Sequence, residues 1–153
     1  MSVIESVRKF IKTCPYLEEY NGAINVNVDM LGKDATMYSI EEVPVNPILK
    51  RYVDGSSLGQ FVFVFSSREI YGEDVKQNIE NVGFYEDFSD WLDECTKEGN
   101  LPILDEGKEA VKIGALTNGY LYDEETSTAK YTIQCKLEYM KGSRLIWELD
   151  KDM

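Results

Sequence analysis

The strongest constraint on this chain is the run Phe61-Val62-Phe63-Val64-Phe65. Successive strand side chains point to opposite faces, so a run that is apolar at every position needs cover on both sides and belongs at the centre of a sheet. The turn-rich segment Asp54-Gly55-Ser56-Ser57-Leu58-Gly59 lies between Ile48 to Val53 and Gln60 to Ser66, which predicts a hairpin leading into that central strand. Alternation places the other strands. Ile24, Val26, Val28 and Met30 alternate with Asn25, Asn27 and Asp29, and a turn follows at Gly32 to Asp34. Residues 36–43 form a strand with Tyr38 and Ile40 inward, ended by Pro44 and Pro47. Tyr131, Ile133, Cys135, Leu137 and Tyr139 alternate with Thr132, Gln134, Lys136 and Glu138; the expected partner is 109–122, interrupted at Asn118-Gly119 by a bulge or a tight turn.

Two segments are helical. Ser2-Val3-Ile4-Glu5 has the form of a capping box, and Val3, Ile4, Val7 and Ile11 fall at helical spacing, which predicts a helix over 3–13 stopped by Pro15. The segment 74–97 carries two stripes. Val75, Ile79 and Val82 share one face, whereas Phe84, Phe88, Trp91, Leu92 and Cys95 lie about 160–200° away. One straight helix cannot bury both against one sheet, so a break is expected at Gly83, with Phe88 and Trp91 in the core and Asp87, Asp90, Asp93 and Glu94 facing solvent. Leu145, Trp147 and Leu149 suggest a short closing strand or an arm over 143–153. There is no internal repeat or linker. The expectation is a single α+β domain over 1–153, with an N-terminal helix and a mostly antiparallel sheet carrying helices on one face.

The chemistry is restricted by what is missing. With no histidine, the commonest general base and any Ser-His or Cys-His pair are excluded. Cys14, Cys95 and Cys135 are widely spaced, which suggests neither a zinc site nor a disulfide framework, and the last two fall on core faces. No phosphate-binding glycine motif occurs. Asp123-Glu124-Glu125 lacks the alternating spacing of a calcium loop, and Asp87 to Glu94 reads as a solvated helix face, so no metal or other cofactor is expected. The 28 acidic against 16 basic residues, a net charge of −12, argue against sequence-specific nucleic-acid binding. The absence of a long apolar run argues against a membrane span. Against this acidic background, Lys50, Arg51 and Arg68 bracket the hairpin that also carries Tyr52 and Leu58. This makes a basic patch suited to an acidic neighbour, and these five residues are the candidate interface.

Five stretches carry a resemblance: Ile4-Glu5-Ser6-Val7-Arg8-Lys9 with Cys14-Pro15, Tyr38-Ser39-Ile40-Glu41-Glu42-Val43-Pro44, Val53-Asp54-Gly55-Ser56, Gln77-Asn78-Ile79-Glu80-Asn81 and Gly83-Phe84-Tyr85-Glu86. In texture and order, over nearly the whole chain, the protein resembles the small minor-capsid and tail-completion proteins of tailed phages and prophages of Gram-positive bacteria, similar to tail terminators. The resemblance implies a structural, non-enzymatic virion protein that passes through the host cytoplasm during assembly. It would form a ring, six-fold in this family, on the head-proximal end of the tail. Its implied partners are further copies of itself, the tail tube protein and a head-completion or connector protein. Two other classes stay open: a monomeric acidic adaptor or inhibitor that mimics DNA in a basic cleft, and a carboxylate-metal enzyme.

Overall fold

A computed structural model describes residues 2–17, 24–29, 37–72, 75–124 and 128–142. The first helix, α1 (Val3–Ile11), begins where the capping box predicts: the Ser2 hydroxyl accepts the Glu5 N–H at 3.3 Å, and Arg8 and Lys9 suit the negative end of the dipole. It stops two residues short of the expected end, because the Thr13 and Cys14 N–H groups turn back onto the carbonyls of Phe10 and Ile11. Val7, Phe10 and Ile11 are buried on one side, and the Arg8 side chain donates to the Val26 carbonyl at 2.7 Å, tying the helix to the sheet.

The strands are β1 (Val26–Val28), β2 (Met37–Val43), β3 (Ile48–Arg51), β4 (Ser57–Ile70), β5 (Lys108–Ala115), β6 (Tyr120–Glu124) and β7 (Thr128–Lys141), and they form one sheet. β4 and β7 are its spine, antiparallel over their whole length from Ser57 opposite Lys141 to Ile70 opposite Thr128. β2 and then β3 run along the outer flank of β4, with β1 parallel to β2 beyond them; β5 and then β6 run along the outer flank of β7. Pro44 to Pro47 separate β2 from β3, and residues 116–119 separate β5 from β6. The expected partner at 109–122 is thus β5 and β6 in succession along β7, and the expected interruption at Asn118-Gly119 falls between them. The turn at 32–34 and the closing strand or arm at 143–153 lie outside the described residues.

The alternation decides the core. Phe61, Phe63 and Phe65 point to the same side as Ile133, Cys135 and Leu137 on β7, Tyr38 and Ile40 on β2, and Ile113 on β5, and all are buried there with both helices. Phe65 stacks on Phe88 at 4.5 Å between ring centres, and Phe10 of α1 stacks on the half-buried Trp91 at 5.0 Å. The central run buries on its other face as well. Val62 is buried there, and so are Ser39, Ser66 and Thr132, which are neighbours in a row across β2, β4 and β7 and whose hydroxyls have no protein partner.

The second helix, α2 (Val75–Glu98), corrects the expected break: it is continuous through Gly83. The lower stripe, with Tyr85, Phe88, Leu92 and Cys95, is buried against the sheet and sets the roll of the whole helix. The upper half then presents its polar side inward, with Asn81 buried and accepting from the Gln77 amide at 3.0 Å, while Ile79 and Val82 are left on solvent. An unbroken helix keeps its ladder of hydrogen bonds, which favours this arrangement over a kink that would bury two aliphatic side chains. The helix ends in a Schellman motif, with Gly99 in the left-handed region at φ +74 and the Asn100 N–H on the Cys95 carbonyl at 2.9 Å.

Candidate functional site

Outside the core, two corners of the sheet carry most of the exposed apolar side chains, and they lie diagonally opposite one another. The first is the β3–β4 tip. Its shape is local chemistry: Gly55 sits at φ +92, and the Asp54 carboxylate accepts both the Ser56 N–H at 2.9 Å and the Ser56 hydroxyl at 2.6 Å. Those bonds hold the Asp54 carboxyl below the usual carboxylate range. Behind the tip, Gln60 fastens the crossing from β2 by donating its N–H to the Pro47 carbonyl at 2.9 Å and its amide to the Asn46 carbonyl at 2.8 Å. The tip exposes Leu49, Lys50, Arg51, Tyr52 and Val53, with the Lys50 ammonium 5.3 Å from the centre of the Tyr52 ring.

Of the five candidate interface residues, Lys50, Arg51, Tyr52 and Leu58 come together at this tip, with Leu58 half-buried opposite Lys50. Arg68 does not. It lies ten residues beyond Leu58 on the same strand, about 33 Å away at ~3.3 Å per residue, between Met37 and Lys130. Sequence proximity to the hairpin misplaced it, because β4 is twice as long as the alternation suggested.

The second corner surrounds β6. Every β6 residue is exposed, including Tyr120, Leu121, Tyr122, Asp123 and Glu124, and the exposed Leu116 precedes it. The Tyr71 phenol is hydrogen-bonded to Glu124, which raises its pKa, and Lys130 lies 4.9 Å from the centre of the Tyr122 ring and 3.9 Å from Glu41. On the helix side stand Ile79, 64% exposed, and Val82. Between α2 and the 116–119 segment runs a cleft of about 440 Å³ lined by Val82, Glu86, Ser89, Asp90, Asn118 and Gly119. Gly119 is required there: a Cβ would fall 2.3 Å from the Tyr85 Cβ. Tyr85 is itself fixed, fully buried with its hydroxyl donating to the Tyr131 carbonyl at 3.0 Å and bonded to Ser67.

The β5 edge is covered at Ile113. The Thr96 hydroxyl of α2 donates to the Ile113 carbonyl at 2.8 Å and accepts the Ile113 N–H at 3.0 Å, filling that residue's outer hydrogen-bonding positions with a side chain. Sequence reading overlooked this second corner. Its one sequence signal was the Ile79/Val82 stripe out of phase with the rest of α2, which suggested a broken helix rather than an exposed face.

Among the described residues no three Cys, Asp or Glu side chains converge to hold a metal ion. Cys14, Cys95 and Cys135 are buried thiols; desolvation pushes Cys14 up to about 11 and Cys135 higher still, away from the nucleophilic thiolate. Asp87, Asp90, Asp93 and Glu94 face solvent as expected. Among the described residues no helix is long and apolar enough to cross a membrane. No protein-family model matches this chain, and no curated protein matches it.

Proposed function

We propose that this protein is a structural, non-catalytic subunit that assembles with copies of itself, and that its setting is the head–tail junction of a tailed phage. There it caps the tail tube as a ring, in the manner of a tail terminator, and meets a head-completion or connector protein. The observation that carries the reading is the pair of exposed apolar corners on opposite edges of one sheet. A subunit that closes into a ring needs two different contact surfaces, and single-copy proteins rarely leave such groups of large apolar side chains in water. The head–tail setting rests on the resemblance in the five stretches quoted above.

The test is the solution mass by light scattering over a range of protein and salt concentrations, with negative-stain images of any large species, followed by a pull-down against a tail tube protein. A ring-sized species that the tube protein captures is the expected result. A chain that stays monomeric at every concentration would refute self-assembly, and a ring that ignores the tube would refute the head–tail setting. The net charge of −12 and the exposed carboxylates of α2 favour a second reading, a monomeric acidic adaptor, which instead predicts salt-sensitive binding to a basic protein.

A further inference from the structure

We infer that the two corners are the two halves of one head-to-tail contact between copies of this chain: the basic β3–β4 tip of one copy seats against the acidic β6–α2 corner of the next. This rests on the self-assembly reading above and adds to it the surfaces, their polarity and the residues that decide it.

Charge is the first argument. The tip carries Lys50 and Arg51, both exposed, against one carboxylate, Asp54, which its bonds to Ser56 keep ionised, so the tip bears a net charge of +1 in a chain that is otherwise strongly acidic. The opposite corner carries Glu86 and Asp90 on the helix wall of the cleft and Asp123 and Glu124 on β6. Its nearest cation, Lys130, is drawn towards Tyr122 and Glu41. In a chain of net charge −12 most surfaces repel one another, so the basic tip is the feature best able to approach this corner.

Shape and apolar content agree. The tip projects Leu49, Tyr52 and Val53, and the corner offers Ile79, Val82 and Leu121 beside a cleft of about 440 Å³ open enough to admit side chains from the tip. Pairing like with like fails on electrostatic grounds, because tip against tip opposes Lys50 and Arg51 to their own copies, and corner against corner opposes Glu86 and Asp90 of the cleft to theirs. A contact between unlike surfaces is heterologous, and it closes into a ring when the rotation between subunits divides a full turn. The corners lie at opposite ends and opposite edges of the sheet, so one copy engages two neighbours without overlap.

A charge-exchange experiment tests this. The variants Lys50→Glu/Arg51→Glu and Glu86→Lys/Asp90→Lys alter only exposed side chains, and thermal melts check that each stays folded. Each alone should associate at least about tenfold more weakly than the parent, reverting towards monomer by light scattering. Mixed in equal amounts they should assemble again, because the reversed tip of one now faces the reversed corner of the other. Folded variants that assemble like the parent, or a mixture that stays monomeric, would overturn the inference while leaving self-assembly intact. A parent that is monomeric at every concentration overturns the self-assembly reading itself, and this inference with it.

Discussion

Two glycine-to-alanine substitutions on facing segments should change stability in opposite directions. At Gly119 the added Cβ would lie 2.3 Å from the Tyr85 Cβ and 2.4 Å from its Cγ, against an optimal carbon separation of about 3.5–4.0 Å. These atoms are the root of a side chain whose ring is buried and whose hydroxyl is held at both sides, so no rotamer change relieves the overlap. Truncating Tyr85 to alanine would leave the clashing Cβ in place. The 116–119 segment must instead move outward by ~1 Å, straining the bonds that Leu116 and Thr117 make to Gln134. Overpacking of this kind costs ~1–3 kcal/mol, and the short distance to a fixed atom puts Gly119→Ala near the upper end. For a chain of this length that is a fall in melting temperature of roughly 5–10 °C. Gly83 sits in the interior of α2, and the position its methyl would take has no neighbour within 4 Å, so Gly83→Ala should stabilise by about 0.5–1 kcal/mol through helix propensity alone. Urea unfolding of both variants beside the parent measures the pair. A Gly119→Ala variant within ~0.5 kcal/mol of the parent would show that α2 does not press on the 116–119 segment as described, and the cleft between them would have to be redrawn.

Thr96→Val removes both hydrogen bonds to Ile113 while keeping the side-chain shape, and should destabilise by ~1–3 kcal/mol; no change in urea midpoint would mean the β5 edge is satisfied by water instead. Thr132→Val should be neutral or stabilising, since it removes a buried hydroxyl that has no protein partner and adds a residue suited to strands, and a loss above ~1 kcal/mol would reveal a hydrogen bond to that hydroxyl. Alkali should weaken the fold. Burial raises the Cys14, Cys95 and Cys135 thiols above their ordinary value of 9.0, so above that pH the unfolded chain releases protons that the folded one keeps. Their contribution is intact below pH 9.0 and declines as the pH rises towards about 11, where Cys14 ionises, and Tyr85 acts in the same direction. Stability that stays flat from pH 8 to 10.5 in urea titrations, or thiols that react with a disulfide reagent at full speed without denaturant, would contradict their burial.

Much of this architecture is written in local pattern. Alternation along 131–139 and around Tyr38 and Ile40 identified the core faces of β7 and β2, because a period of two leaves only one side apolar. The Ser2 cap and the apolar run at 61–65 marked the start of α1 and the centre of the sheet for equally local reasons. Tertiary structure decided what lies between competing local signals. α2 carries two apolar stripes, and its own sequence does not say which one wins; the aromatic layer of β4 took the lower stripe, leaving Ile79 and Val82 in water. Likewise Arg68 is close to the hairpin in sequence and far from it in space, because β4 continues for as long as β7 pairs with it. The cleft at the acidic corner is walled by α2 and the 116–119 segment, neither of which signals the other in sequence. Periodicity records which face of a segment is apolar, but whether that face is buried or left open depends on what the rest of the chain brings opposite it.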